Sequence, residues 1–303
     1  MNNTWPKLPY QPSKKLGQNF LFNQNYLQKI VEACPISPNT LIIEIGSGYG
    51  NLTNLLVKTV CQKVISIEKD PQLFKWLKEN NSKLDKVLLL CQDALQINWP
   101  QFCSKYKKNS QIVVVGNLPY YLANSLIISL LSCYYLFKSL IFLVQKEVAC
   151  RWVATPQKYK KEYSALSVYI NLIAQVEILF LVSKQSFFPV PAVDGALVRL
   201  EIKPKPEISK ILTEWNDNNL NKDFSTSHNS NQKINLTKFF KFLKNCFRYR
   251  RKTFWNNLLI AAYPKKKIQT IFSQLGYDKN IRAQNLILQD YLKVYELLHF
   301  FAS

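Results

Sequence analysis

A Rossmann-like α/β domain followed by a small all-helical domain is the fold class this 303-residue sequence predicts. Three observations predict it. Between residues 40 and 144, short apolar, β-rich runs alternate with helical-period segments, the pattern of a parallel sheet covered on both faces. A glycine-rich turn follows the first of those runs and leads into a helical segment. After Pro204 and Pro206 strand signals stop and helical segments take over. The domain boundary therefore falls near residue 205, giving domains 1–205 and 206–303.

The elements follow in order. Residues 41–45, 63–67, 87–91, 111–115 and 139–144 read as strands, each nearly continuous in apolar side chains. Helices are expected over 52–60, 71–80 and 122–137. Residues 168–182 and 196–202 read as added strands closing the sheet. The run 125–144 is long enough to suggest a membrane span, but Lys138 and four serines within it favour a buried helix followed by a buried strand. Residues 216–235, dense in Asn, Ser, Asp and Lys, read as a polar loop or tolerated surface insertion. Beyond it 237–259, 268–275 and 288–300 have helical character.

Composition narrows the chemistry. Forty Lys and Arg against nineteen Asp and Glu give a net charge of +21, which points to a polyanionic partner. The 48% apolar and 13% aromatic content excludes a disordered chain. With only His228 and His299, a Ser-His-Asp triad or a His-rich metal site is disfavoured. The seven cysteines contain no Cys-x-x-Cys pair, which argues against zinc or a disulfide scaffold and for a reducing compartment. Residues 1–15 contain no apolar stretch of the kind that marks a secretory signal. Glycine is scarce, seven residues in all, so the positions where it persists are informative.

Three of the seven lie in Glu44-Ile-Gly-Ser-Gly-Tyr-Gly50. A turn of this kind lets backbone approach a ligand, here through Gly46 and Gly48. Its Gly-x-Gly-x-Gly spacing favours S-adenosyl-L-methionine over a nicotinamide dinucleotide. Glu68 ends the next strand and suits both hydroxyls of a ribose; Asp93, after the third, suits an adenine amino group. Singly, each is more often a solvated strand-end acid; their matched places at successive strand ends reverse that and favour the cofactor reading.

Gly116-Asn-Leu-Pro-Tyr120 closes the fourth strand. An exocyclic adenine amine is a poor nucleophile because its lone pair is conjugated into the ring. Two acceptors placed around it, the Asn117 side-chain oxygen and the Leu118 carbonyl, would favour a localised lone pair and stabilise the positive charge that appears on methylation. Pro119 holds Leu118 extended and so fixes its carbonyl. Tyr120 offers a face on which a flipped base stacks.

These motifs, with Gly17-Gln-Asn-Phe-Leu21, Gln145-Lys-Glu-Val-Ala149, Phe187-Phe-Pro-Val-Pro-Ala-Val-Asp194, Phe247-Arg-Tyr-Arg-Arg-Lys-Thr253 and Arg282-Ala-Gln-Asn-Leu286, resemble in order those of the KsgA-type rRNA adenine dimethyltransferases. The resemblance implies S-adenosyl-L-methionine as donor and small-subunit rRNA as substrate, dimethylated at two adjacent adenosines in a hairpin near its 3′ end. It also implies cofactor contacts at Asn19, Leu21, Gly46, Glu68, Asp93 and Asn117, and Phe187 as a second aromatic face opposite Tyr120. Ser47, Tyr49, Asn51 and Gly195 depart from the family's usual residues without removing a group the chemistry needs.

Between residues 236 and 267 there are ten Lys or Arg and no acid, interleaved with aromatics. Part of this stretch is an amphipathic helix; the absence of acids points to phosphate contacts at Lys244, Arg248, Arg250, Arg251 and Lys252, with Lys14 and Lys15 as a smaller basic segment. The expected partner is small-subunit rRNA or an immature small subunit, bound by a monomer without metal or membrane. The expected compartment is a bacterial-type cytoplasm, with an organelle stroma or matrix as the alternative. Two rival readings are a large-subunit rRNA methyltransferase of the macrolide-resistance type and a non-catalytic RNA-binding factor on the same fold.

Overall fold

The computed structural model describes residues 9–80, 85–106, 110–204, 208 and 234–299. Most of the polar segment 216–235, with His228, lies outside the described residues. The chain groups into two compact units. One comprises residues up to Ala149 together with Val176–Ile202; the other comprises Cys150–Gln175 and the chain from Lys203 onward. A single boundary near 205 would have left residues 150–175 in the first domain; their contacts group them with the second.

The first unit is built on a seven-stranded sheet. Its strands are β2 (Thr40–Ile45), β3 (Lys63–Glu68), β4 (Val87–Cys91), β5 (Gln111–Asn117), β6 (Ser139–Gln145), β7 (Ala174–Val182) and β9 (Gly195–Ile202), in the order β4-β3-β2-β5-β6-β9-β7. The run from β4 to β6 is parallel, and β9 returns antiparallel to β6. Ile42, Ile43, Val64, Ile65, Val113 and Val114 are fully buried, as strands covered on both faces require. Helices α1 (Gln24–Ala33), α2 (Thr53–Leu56), α3 (Pro71–Asn80), α4 (Trp99–Tyr106), α5 (Ala123–Ser132) and α6 (Lys146–Trp152) connect or flank them. A short ribbon pairs β1 (Phe20–Leu21) antiparallel with β8 (Phe187–Phe188). Chain order reverses between β2 and β5, so the carboxyl ends of these strands border the crevice where ligands bind in such sheets.

Expected elements change in several places, and the helix expected over 122–137 ends at Ser132. Residues 168–173 are not strand but the end of helix α7 (Ala165–Ile173), capped by a reciprocal Ser164–Ser167 pair. Eight of its nine residues are buried, so no amphipathic period distinguishes this helix from a strand. The helix expected over 52–60 shortens to α2.

The second unit packs aromatic side chains. Helices α8 (Leu236–Cys246), α9 (Phe254–Ile260), α10 (Lys265–Leu275) and α11 (Leu288–His299) bury Phe239, Phe242, Phe254, Phe272, Tyr291 and Tyr295. The Phe239 and Phe242 rings meet Tyr295 edge-on at 5.2 and 5.3 Å, the favoured arrangement for opposed ring quadrupoles. The helix expected over 237–259 breaks into α8 and α9 because Thr253 caps a new start, its hydroxyl accepting from Asn256 N–H at 3.2 Å.

Candidate active site

A cleft of about 950 Å³, including its open mouth, lies at the carboxyl ends of β2 to β6. Gly46, Gly48, Glu68, Asp93, Asn19, Asn117, Leu118, Pro119, Tyr120 and Phe187 all line it. Residues from Asn19 to Phe187 thus converge on one wall system.

The glycine turn leaves β2 with left-handed backbone at Gly46 and Gly48, φ +77° and +56°, which a side chain would strain. Gly48 N–H donates to Glu68 Oε2 at 2.8 Å, and Asp70 N–H donates to Glu68 Oε1 at 2.8 Å. Burial raises the Glu68 pKa against the lowering effect of these donors. The Lys69 N–H is a third donor to this carboxylate, whose remaining acceptor capacity is what a ligand hydroxyl would use. Beneath the turn, Glu44 is fully buried and accepts from the Thr53 hydroxyl at 2.5 Å and the Ser66 hydroxyl at 2.9 Å. Ser47, where the family resemblance expects proline, joins this network by hydrogen bonding Ser66. Desolvation lifts the Glu44 pKa to about 7, despite those two hydrogen bonds.

Asp93 caps the short turn Ala94–Gln96 through Leu95 N–H at 3.0 Å and pairs with Lys69 Nζ at 2.8 Å. Partial burial raises its pKa, but Lys69 and the Leu95 N–H outweigh that, and the net shift is downward. The Lys69 contact was not legible beforehand.

Asn117 ends β5 with its amide oriented: Nδ2 donates to the Asn19 carbonyl at 2.8 Å. Asn19 Nδ2 in turn donates to the Gly17 carbonyl at 3.2 Å. Gln18 extends this clip, donating to Asp70 Oδ2 at 2.8 Å and accepting from Ser13 N–H at 2.7 Å. Asp70 also caps α3 through Gln72 N–H, and an acid before Pro71 was the available signal for that role. Leu118 N–H donates to the Leu143 carbonyl at 2.9 Å. Tyr120 hydrogen-bonds Gln145, while burial raises its pKa.

Three expected roles change on inspection. Leu21 does not line the cleft; it is buried in the core, and its carbonyl accepts from Asn51 Nδ2 at 3.0 Å. Phe187 lines the cleft yet is only 4% exposed, because it pairs with Leu21 across the β1–β8 ribbon. A Cβ at Gly195 would lie 3.2 Å from its ring, so glycine there leaves Phe187 its room. Arg250, itself exposed, has in addition an anchoring role: its guanidinium donates to the carbonyls of Tyr163, at 3.0 Å, and Lys161. Lys14, Lys15, Lys244, Arg248, Arg251 and Lys252 are exposed. Among the described residues no His, Cys, Asp and Glu cluster suits a metal, and no helix is long and apolar enough to cross a membrane.

Against known proteins, the family model for ribosomal RNA adenine dimethylase matches residues 11–217. Ribosomal RNA small subunit methyltransferase A of Caldanaerobacter subterraneus is 31% identical over 286 residues, covering 94% of this chain and 97% of the relative. The protein of the same name from Clostridium botulinum strain Okra is 32% identical over 293 residues, covering 97% and 96%. A dimethyladenosine transferase from Plasmodium falciparum superposes with a TM-score of 0.72 at 25% identity, over 93% of this chain and 100% of its own. The 23S rRNA methyltransferase ErmE shares the fold, with a TM-score of 0.63 at 21% identity, over 92% and 99%.

Proposed function

The chain belongs to the ribosomal RNA adenine dimethylase family, and we propose that it dimethylates two adjacent adenosines in the 3′-terminal hairpin of small-subunit rRNA, using S-adenosyl-L-methionine. The observation that carries this reading is the orientation of Asn117. With Nδ2 committed to the Asn19 carbonyl, Oδ1 is the side chain's acceptor at the cleft wall.

The cleft residues fit the donor's parts. Gly46 and Gly48 present backbone without side chains, Glu68 offers its remaining lone pairs to ribose hydroxyls, and Asp93 suits an adenine amine. Bound there, the donor supplies an electrophilic methyl on a positively charged sulfur. The chain's own groups do the rest. Asn117 Oδ1 and the Leu118 carbonyl accept the two N–H groups of the target amine and stabilise the charge that develops on its nitrogen. The Leu118 peptide is pinned by its N–H on Leu143 and by Pro119 after it, so its carbonyl needs no reorganisation. Tyr120 supplies an aromatic face for the base. As the new N–C bond forms, the methyl–sulfur bond would break with its electron pair left on a neutral thioether, and the positive charge on nitrogen would be relieved when one of its protons passes to solvent, so no strong base is needed.

The small-subunit assignment is supported by relatives of that name at 31–32% identity over nearly their whole length. In this reading the protein acts as a monomer on rRNA or an immature small subunit, in a bacterial-type cytoplasm or an organelle. The Asn117→Ala variant tests the mechanism. Labelled methyl transfer to small-subunit RNA is expected to fall roughly 10²- to 10³-fold, the effect of losing one transition-state partner, while RNA affinity is kept. Turnover near the wild-type rate overturns it. Mass spectrometry of small-subunit rRNA made with and without the protein locates the modified bases.

A further inference from the structure

The loop joining α8 to α9 carries a feature that the transfer chemistry does not use. Of the aromatic residues interleaved with the basic run, Phe239, Phe242, Phe254 and Trp255 are buried in the helical unit, whereas Tyr249 is 42% exposed. Its backbone is nevertheless held at both polar groups. Asn257, 2% exposed, accepts from Tyr249 N–H at 3.0 Å and donates to the Tyr249 carbonyl at 3.2 Å and the Thr253 carbonyl at 3.1 Å. The next residue, Arg250, is anchored on the carbonyls of Lys161 and Tyr163. The exposed ring therefore projects from a braced segment.

Two cations attend that ring. The Arg248 guanidinium carbon lies 5.5 Å from its centroid and Lys252 Nζ lies 5.4 Å from it. Neither cation takes part in a salt bridge among the described residues, and the sequence from 236 to 267 holds no acid that could neutralise them. Both cations lie over the ring here, so a base would take up a face as they swing from the ring to its flanking phosphates; an exposed ring with two uncompensated cations on a braced loop has the composition of a nucleobase platform. The ring stacks on any base, and the cations reach the phosphates on either side. A fully paired helix offers no free base face, so the occupant is an unpaired base.

We propose that Tyr249 is a stacking platform for an unpaired base of the bound RNA, with Arg248 and Lys252 neutralising the flanking phosphates. The proposal rests on the reading of the protein as an RNA methyltransferase. It places in the helical unit a second base contact, separate from the cleft, that helps select looped over fully paired RNA.

The test uses the full chain carrying Tyr120→Ala, which silences stacking in the cleft, and two hairpin RNAs with one stem. One hairpin has an adenosine loop and the other the same loop with abasic positions. Fluorescence anisotropy at several salt concentrations reads affinity and salt slope. The adenosine loop is expected to bind about five- to a hundredfold more tightly, the range for one stacked base. Adding Tyr249→Ala should remove that preference without altering the salt slope, and Tyr249→Phe should retain it. A preference that survives Tyr249→Ala, or an equal loss on both hairpins, overturns the proposal. Wild-type protein that binds neither hairpin overturns the RNA reading itself, whereas equal binding of both by the Tyr120→Ala protein overturns only the platform.

Discussion

Gly116→Ala is the sharpest perturbation that this architecture offers. Gly116 lies beside Ile45, one residue beyond the Glu44–Val115 register pair of the parallel β2 and β5 strands. A Cβ built on it falls 2.3 Å from the Ile45 carbonyl oxygen, where real Cβ atoms keep at least 3.0 Å. The deficit is therefore 0.7 Å or more, and the obstacle is backbone, so strands must separate. Ile45 leads directly into Gly46 and Gly116 directly into Asn117, so the separation moves the proposed donor cradle away from the proposed amine clamp. Overpacking of this kind costs about 1–3 kcal/mol of stability. A positional error approaching 1 Å at reacting groups costs on the order of 10²-fold in rate. Single-turnover methyl transfer should fall roughly 10- to 100-fold, and thermal unfolding should shift by several degrees. Gly276→Ala is the control. Its φ of +66° strains a side chain, but nothing lies within 4 Å of the added carbon and it caps α10, in the helical unit. That variant should lose comparable stability and transfer methyl normally. If Gly116→Ala transfers at the wild-type rate, or if both variants lose activity in proportion to stability, the close approach of β2 and β5 does not set the site's geometry.

Other expectations follow from the same contacts. Glu44 has a folded pKa of about 7 against 4.5 when unconstrained, so between those values the folded state holds a proton that the unfolded state releases. Its contribution is full below about pH 4.5 and is lost as pH rises through 7, on the order of 3 kcal/mol in all. Glu44→Gln, which mimics the protonated form, should flatten denaturant-measured stability between pH 5 and 8, and an unchanged slope would falsify the assignment. Arg250→Ala should lower thermal stability and leave the salt dependence of RNA binding nearly intact, since its guanidinium is held on two carbonyls. Arg251→Ala should leave stability unchanged and reduce the salt slope by about one; the reverse pattern would exchange the two roles.

What could be read beforehand divides along a physical line. The strand and helix at 87–91 and 71–80 coincide with β4 and α3, because apolar period and end signals are local properties of the chain. The glycine turn, Glu68, Asp93 and the Asn117–Tyr120 segment were legible for a related reason: strand ends in a parallel sheet meet at one edge, so matched positions imply proximity. The 168–173 helix was missed because burial on every side erases period. The structural roles of Leu21 and Arg250 were missed because they depend on partners that sequence order does not indicate. Arg250 finds Tyr163 across 87 positions, and Leu21 is placed by pairing with Phe187. Lys69 at Asp93 and the clip from Gln18 to Asp70 belong to the same class of long-range polar contact.

The distribution of acids gives the charge excess a direction. Only nineteen acids oppose forty bases, yet Glu44, Glu68, Asp70 and Asp93 gather around the ends of β2, β3 and β4. Each also holds structure: Glu68 binds the glycine turn, Asp70 binds Gln18, Asp93 caps a turn, and Glu44 braces Thr53 and Ser66. Of these, Glu68 and Asp93 line the cleft, and Lys69 pairs with Asp93; on the proposed function this end favours a cationic sulfonium donor over phosphate chiefly through Glu68, where burial limits screening. For an RNA substrate, the polyanionic backbone is therefore kept away from that end and held by cations such as the exposed Lys14 and Lys15, and only the neutral base enters the cleft. Base and phosphate are sorted by charge before any hydrogen bond to the amine is made. On the proposed function, the net charge of +21 and the acidic donor end would act together, one drawing RNA in and the other limiting what part of it reaches the methyl group.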